Sequence, residues 1–499
     1  MASRKSPALK SSVKSTVARA VKAPARVLKR ATRKAAASGR KASVSARTAA
    51  PSRGTAGAST GALKLPTLHE STTSSGLKVI AAERGPLPLV SMRLVLRAGS
   101  ATDPAGKHGL ADFTARLLRR GTRRLSAQQI DETVEFVGAS LGVGVGEDSM
   151  SIAITTPAEH FAQMLGVLGQ LVREPTFPQS EVDDARERAL AQFANDLDDP
   201  SVIADRAMVR ALWGDHPYGH DVGGSSRTVS TFTRDDVVRF HQERMGPKVA
   251  MLVVVGAVKP ERVAAAAEEA FVGWEGGPDA PPVIPPVKRI PQAGRVLIVD
   301  KPDQTQSQVR LGGPGFRMGH EDYFPATAMN IALGGGFTSR LMNEIRVNRG
   351  LTYGVSSWFD AMNAGGVFAL STFTKTASTR EIIDVALGEI GSVREKGLKP
   401  RELADAQAYL AGLYPLRTET NESVAAVISD IRIHGLGDDW VEKFRDRLRA
   451  VTPKQVAAAA KKYCFTEPPA IVVLGRADEV KKLLKGLGPI SVVPASEYE

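Results

Sequence analysis

The sequence predicts an α+β fold: two homologous, antiparallel-rich α/β sandwich domains in tandem, preceded by a disordered basic tail. Three observations predict it. The chain repeats an ordered set of signals at a fixed spacing, each repeat ends in a β-branched apolar run, and the composition changes sharply near residue 60.

Thr233-Arg-Asp-Asp-Val opens a helical stretch that runs to Met245 and is followed by the apolar run Val249–Val255 and Gly256. Thr452-Pro-Lys-Gln-Val opens a similar stretch, followed by Ala470–Leu474 and Gly475. Thr233 to Thr452 and Gly256 to Gly475 both span 219 residues. Each Thr suits an N-cap, Pro453 suits a first helical turn, and the apolar runs suit central strands. Earlier in each half, an alternating strand at Leu89–Leu96 leads through Ala98-Gly99-Ser100 to a helix expected from about Ala105. Ser307–Leu311 leads through Gly312-Gly313 to a helix from about Tyr323.

Six prolines between Pro278 and Pro291 mark Gly276–Gly294 as a semi-extended linker. The expected division is therefore a tail over 1–64, domains over 65–275 and 295–490, the linker over 276–294, and a C-terminal tail over 491–499. Helices are expected on one face of each sheet.

The net charge of +13 belongs to the tail. Residues 1–60 hold 15 of the 66 Lys and Arg, and the first acidic residue is Glu70, so the remainder is close to neutral. A segment of Ala, Ser, Lys, Arg, Thr and Pro without aromatics buries too little apolar area to offset its ordering entropy. It reads as a solvated tail, as a tether to nucleic acid or an anionic surface, or as a mitochondrial transit peptide; Pro24 and evenly scattered charge weaken the last. No apolar h-region follows the first lysines, which argues against a secretory signal. The single cysteine, Cys464, excludes an intramolecular disulfide and a multi-thiolate zinc site. Apolar stretches such as Met251–Val255 fall far short of the roughly 20 residues of a membrane span.

Several motifs in order resemble the pitrilysin and mitochondrial processing peptidase family over about residues 65–490. They are Arg97-Ala-Gly-Ser100 followed by Gly109-Leu-Ala; His216-Pro-Tyr-Gly219 with Gly223; and Gly334-Gly-Gly-Phe-Thr-Ser-Arg-Leu341 followed by Arg346 and Gly350-Leu-Thr-Tyr353. That family carries an inverted zinc motif, H-x-x-E-H, on the first helix: two imidazoles on one helical face bind Zn²⁺ and the Glu activates the bound water. The matching segment here is Asp112-Phe-Thr-Ala115-Arg116. The family's distal Glu ligand falls on Gln192. Asp112 alone retains a metal-binding side chain; Arg116 repels a dication, and Ala115 cannot move a proton. No zinc is expected in this chain.

Other histidine arrangements offer little. His108-Gly-Leu-Ala-Asp112 has part of the motif's spacing but neither its Glu nor its second His. His216 and His220 are four apart, yet Pro217 and Gly219 make a loop of them, with one ring expected packed and one solvated. His69, His160, His241, His320 and His434 are isolated.

The resemblance implies that Arg346 and Tyr353 bind substrate, reaching into the zinc cleft of the other half or of a partner. A guanidinium can bond peptide acceptors there, and a phenol can donate to an oxyanion. Gly350 is expected to end the helix of Arg346 and bring Tyr353 into the next strand. Gly334, Gly335 and Gly336 lack the spacing and lysine of a phosphate loop. They read as a tight turn between helices or, by the resemblance, as a substrate-contacting loop. The expected function is a non-catalytic subunit, heterodimeric with a catalytic H-x-x-E-H subunit that holds the zinc and acts on peptides. A structural scaffold, a nucleic-acid tether acting through residues 1–60, and a peptidase with an unrecognised site are the alternatives. The expected compartment is a bacterial cytoplasm, or else the mitochondrial matrix.

Overall fold

A computed structural model describes residues 64–287 and 289–498. The expected tail over 1–64 therefore lies almost wholly outside the described residues. The first half contributes six strands: β1 (His69–Thr72), β2 (Lys78–Glu83), β3 (Leu89–Leu96), β4 (Ser140–Val145), β5 (Met150–Pro157) and β6 (Ala250–Gly256). Its helices are α1 (Leu110–Leu117), α2 (Ala127–Phe136), α3 (Phe161–Arg173), α4 (Gln179–Asp196), α5 (Pro200–Trp213), α6 (Ser226–Val229), α7 (Arg234–Arg244) and α8 (Pro260–Phe271). The second half supplies β7 (Val296–Asp300), β8 (Gln306–Pro314), β9 (Val355–Ala361), β10 (Gly366–Lys375), β11 (Ala470–Gly475) and β12 (Ile490–Pro494). Its helices are α9 (Tyr323–Asn330), α10 (Thr379–Lys396), α11 (Pro400–Leu413), α12 (Asn421–Ile433), α13 (Asp439–Arg449), α14 (Pro453–Tyr463) and α15 (Ala477–Leu483).

The two halves form mixed sheets of six strands, ordered β1-β2-β6-β3-β5-β4 and β12-β7-β11-β8-β10-β9. The repeat is visible in this order, since β6 and β11 hold the same inner place. Thr233 and Thr452 cap α7 and α14 as their sequences predict, each accepting from the third backbone N–H of its helix. The sheets differ at one edge: β1 runs antiparallel to β2, whereas β12 runs parallel to β7.

The sheets are covered on both faces, which corrects the expectation of helices on one face. In β6, Ala250, Leu252 and Val254 enter the core shared with α1, α3, α7 and α8, while Val253 and Val255 point the other way. That second face meets Val424, Ala425 and Ile428 of α12, a helix of the second half. Reciprocally, Val472 and Leu474 of β11 pack on Ile203, Ala207 and Ala211 of α5, a helix of the first half. Strands apolar on both sides require cover on both sides, and each half covers the other. Buried Arg310 of β8 ties this exchange down: its guanidinium donates to Asp205 (2.6 Å) and Ser201 (2.8 Å), both on α5.

Two boundaries also shift. Residues 491–498 are no tail, because β12 pairs with β7 and Tyr498 is buried against α5. The first helix begins at Leu110, not near Ala105, because the Asp103 carboxylate accepts from the N–H groups of Gly109 (2.6 Å) and Ala111 (2.7 Å).

Candidate functional site

Asp112 and Arg116 sit one turn apart on α1, and Gln192 faces them from α4, around an open cavity of about 720 Å³. Arg116 Nε donates to Asp112 Oδ2 at 2.7 Å, so the two positions at ligand spacing satisfy each other. Burial raises the Asp112 carboxyl above its ordinary value, against the pull of Arg116. Ala115 points into the core and is fully buried. Gln192 donates to Asp196 at 2.7 Å, and Asp196 pairs with Arg206 at 2.5 Å. The structure thus brings Asp112, Arg116 and Gln192 together at one cleft, as the motif alignment implies.

The donor set does not fit zinc. It offers one carboxylate already bound to a guanidinium, one methyl group and one amide. Among the described residues, no group of three or more His, Cys, Asp or Glu side chains is placed to hold a metal ion.

His108, His216 and His220 pack or bond within the fold. His108 and His220 stack with centroids 4.1 Å apart and planes 3° from parallel, and burial lowers both below the usual histidine value. His216 and His220 are both half-buried, so neither ring is the solvated one expected. His216 bonds the Pro285 carbonyl at 2.8 Å. Tyr218, between them, donates to Asp148 at 2.6 Å and accepts from the Ala364 N–H at 3.2 Å, while Asp148 also accepts from the Asn363 N–H. This loop joins the halves.

In the second half, α9 continues into a turn of π-helix at Ile331–Gly335, and a second such turn, Met342–Asn348, carries Arg346. Gly350, at φ +63°, ends it by donating to the Arg346 carbonyl. The Arg346 guanidinium lies 5.0 Å over the exposed ring of Phe337, with no carboxylate within ion-pair distance among the described residues. Tyr353 precedes β9 in a loop and is 81% exposed, which corrects its expected place in the strand. Neither lines the cavity at Asp112. Gly334 is buried, and a Cβ there would clash with Ser357 Oγ and Leu341 Cδ1; close packing explains this glycine without a ligand. Gly335 is exposed and Gly336 half-buried.

The family profile described as "Insulinase (Peptidase family M16)" matches residues 78–225, and "Peptidase M16 inactive domain" matches residues 231–410. The chain belongs to peptidase family M16. Among its relatives, an uncharacterized zinc protease of Streptomyces coelicolor is 25% identical over 411 residues, covering 82% of this chain and 89% of that protein. An uncharacterized zinc protease of Mycobacterium leprae is 26% identical over 394 residues, covering 78% and 88%. The crystal structure of a peptidase M16 inactive domain from Pseudomonas fluorescens superposes with a TM-score of 0.77 at 26% identity, covering 82% of this chain and 98% of that one. A Helicobacter pylori protease shares the fold at 19% identity and a TM-score of 0.75. The pitrilysin resemblance and the two-sheet fold read from sequence both hold for this M16 member. No helix among the described residues is long and apolar enough to cross a membrane.

Residue types alone gave no sign of two features of this M16 chain. The Tyr218–Asp148 bond joins side chains 70 residues apart, and the arginines around the cavity come from separate elements. Only the continuous apolar runs of β6 and β11 hinted that both faces of each sheet are covered.

Proposed function

We propose that this chain is a non-catalytic subunit of an M16-type peptidase, forming the peptide chamber with a partner that carries an intact H-x-x-E-H motif and its zinc. One contrast carries the reading. The positions that would bind zinc and move a proton hold an internal ion pair and a buried methyl group. The Arg346 guanidinium, by contrast, has no carboxylate partner among the described residues; Phe337 beneath it is exposed, and so is Tyr353. Exposed Gly335 and half-buried Gly336 are proposed to contact a peptide or the partner as well. A bacterial cytoplasm is the proposed compartment, in line with the bacterial relatives, and the basic segment 1–60 is proposed as an anionic-surface tether.

The test is the partner's turnover of a quenched fluorescent peptide after mixing with this chain. Wild type should raise kcat/KM, and Arg346→Ala or Tyr353→Phe should remove about tenfold or more of that gain. Unchanged stimulation by both variants would refute the roles of Arg346 and Tyr353, and no stimulation by the wild type would leave the chain as a scaffold.

A further inference from the structure

We infer that the cavity where the tips of the two sheets meet is a binding site for a small zwitterion, a free α-amino acid with a short apolar side chain. The cavity holds about 270 Å³. The first half supplies Arg97 from the end of β3, with Glu147 and Asp148 from the β4–β5 turn. The second supplies Asn363 and Ala364 from the β9–β10 turn, and linker residues 281–284 complete the wall. It shares no lining residue with the cavity at Asp112.

Two opposite charges line this space, and neither is satisfied. Among the described residues the half-buried Arg97 guanidinium has no ion pair and donates no hydrogen bond. The half-buried Glu147 carboxylate has no ion pair either, and the hydrogen bond it accepts comes from its own backbone N–H. Asp148 is already engaged, because Tyr218 and the Asn363 N–H hold its two oxygens. Charges withdrawn from water without a partner cost free energy, and a ligand that brings the opposite charge to each offsets that cost.

The charge count decides the ligand's sign. Burial raises the Glu147 carboxyl above its ordinary value, and the nearby Asp360, Asp148 and Asp221 raise it further. Asp221 lies 3.5 Å from Arg206, outside this cavity. Around Glu147 the carboxylates therefore outnumber the guanidiniums, so a plain anion is repelled and an ammonium is drawn in. Arg97 opposes a plain cation in turn, and its planar donors suit a carboxylate at the other end of the ligand. Pro281, Pro282 and Ile284 give the space an apolar side. Its volume lies below the roughly 300–1,000 Å³ of drug-sized pockets, which suits one residue with both charges on a single carbon. The reading is independent of Arg346, of Tyr353 and of any partner subunit.

The experiment is isothermal titration of the full chain with L-valine and its two single-charge analogues. These are 3-methylbutanoate, which lacks the ammonium, and isobutylamine, which lacks the carboxylate. L-Valine should bind at least about tenfold more tightly than either. Arg97→Gln should remove its advantage over isobutylamine, and Glu147→Gln its advantage over 3-methylbutanoate. Neither side chain bonds another residue's side chain, so both variants should keep the wild-type thermal midpoint. If Arg97→Gln fails to fold, Arg97→Lys keeps the charge but loses the paired donors, and should weaken L-valine severalfold. Isobutylamine binding as tightly as L-valine would reduce the site to an acidic surface and overturn the proposal. A valyl-valine dipeptide binding more tightly than L-valine would assign the cavity to peptides and overturn it too. So would an absence of L-valine binding up to about 10 mM, or an advantage that survives both substitutions.

Discussion

Asp103 sets where α1 begins and so where Asp112 and Arg116 stand. Its two oxygens accept from Gly109 and Ala111, and burial pushes its carboxyl up to about 7 from 3.8, against the pull of those two donors. Between about pH 4 and 7 the folded chain holds this proton more tightly than the unfolded one. The contribution to stability is therefore fully present below about pH 4, declines as pH rises towards 7, and stays level above. Asp103→Asn removes the titration. The urea midpoint of the wild type should fall relative to that variant between pH 4.5 and 7.5, and a constant difference would refute the assignment to burial. The same residue scale made the replacement of the inverted motif by Asp112, Ala115 and Arg116 legible, because ligand and base chemistry belong to side-chain identity. Asp103 was not legible, since its partners lie six and eight residues on and its burial depends on elements far away.

At the scale of elements, α12 carries the most information. Its Thr420 side chain accepts from Ser423 N–H at the first turn, an ordinary N-cap. Its apolar side then leaves its own sheet and covers β3 and β6 of the other half. Ile428 is 1% exposed within that contact. Ile428→Ala should cost about 3 kcal/mol by urea denaturation, and amide exchange should quicken in β3 and β6 as well as in α12. Exchange confined to α12 would mean that the helix only rests on the sheet. Periodicity marks such a helix as amphipathic, and a continuous apolar run marks β6 as buried on both faces. Neither says that the two belong together.

The whole molecule is an exchange of covers between two copies of one sheet. Residues 65–275 alone would expose Ile80, Ala82, Val253 and Val255, while α5 would lose β8 and β11. Such a flat apolar face drives association. Produced alone, this half should elute as soluble aggregate or not be soluble, and co-production with residues 276–499 should restore one 1:1 species by size exclusion with light scattering. A monomeric, folded first half would contradict the exchange.

The sequence by itself determined the local and the periodic. The 219-residue repeat, the buried strands, the caps at Thr233 and Thr452, and the replacement of the motif by Asp112, Ala115 and Arg116 can all be read within a few residues of each other. Tertiary structure decided which distant surfaces meet: α12 on the first sheet, α5 on the second, Tyr218 on Asp148, and five arginines around one cavity. The reason is physical. Hydrophobic burial is non-directional, so a pattern states that a face must be covered, and only shape and packing in the folded chain select the cover.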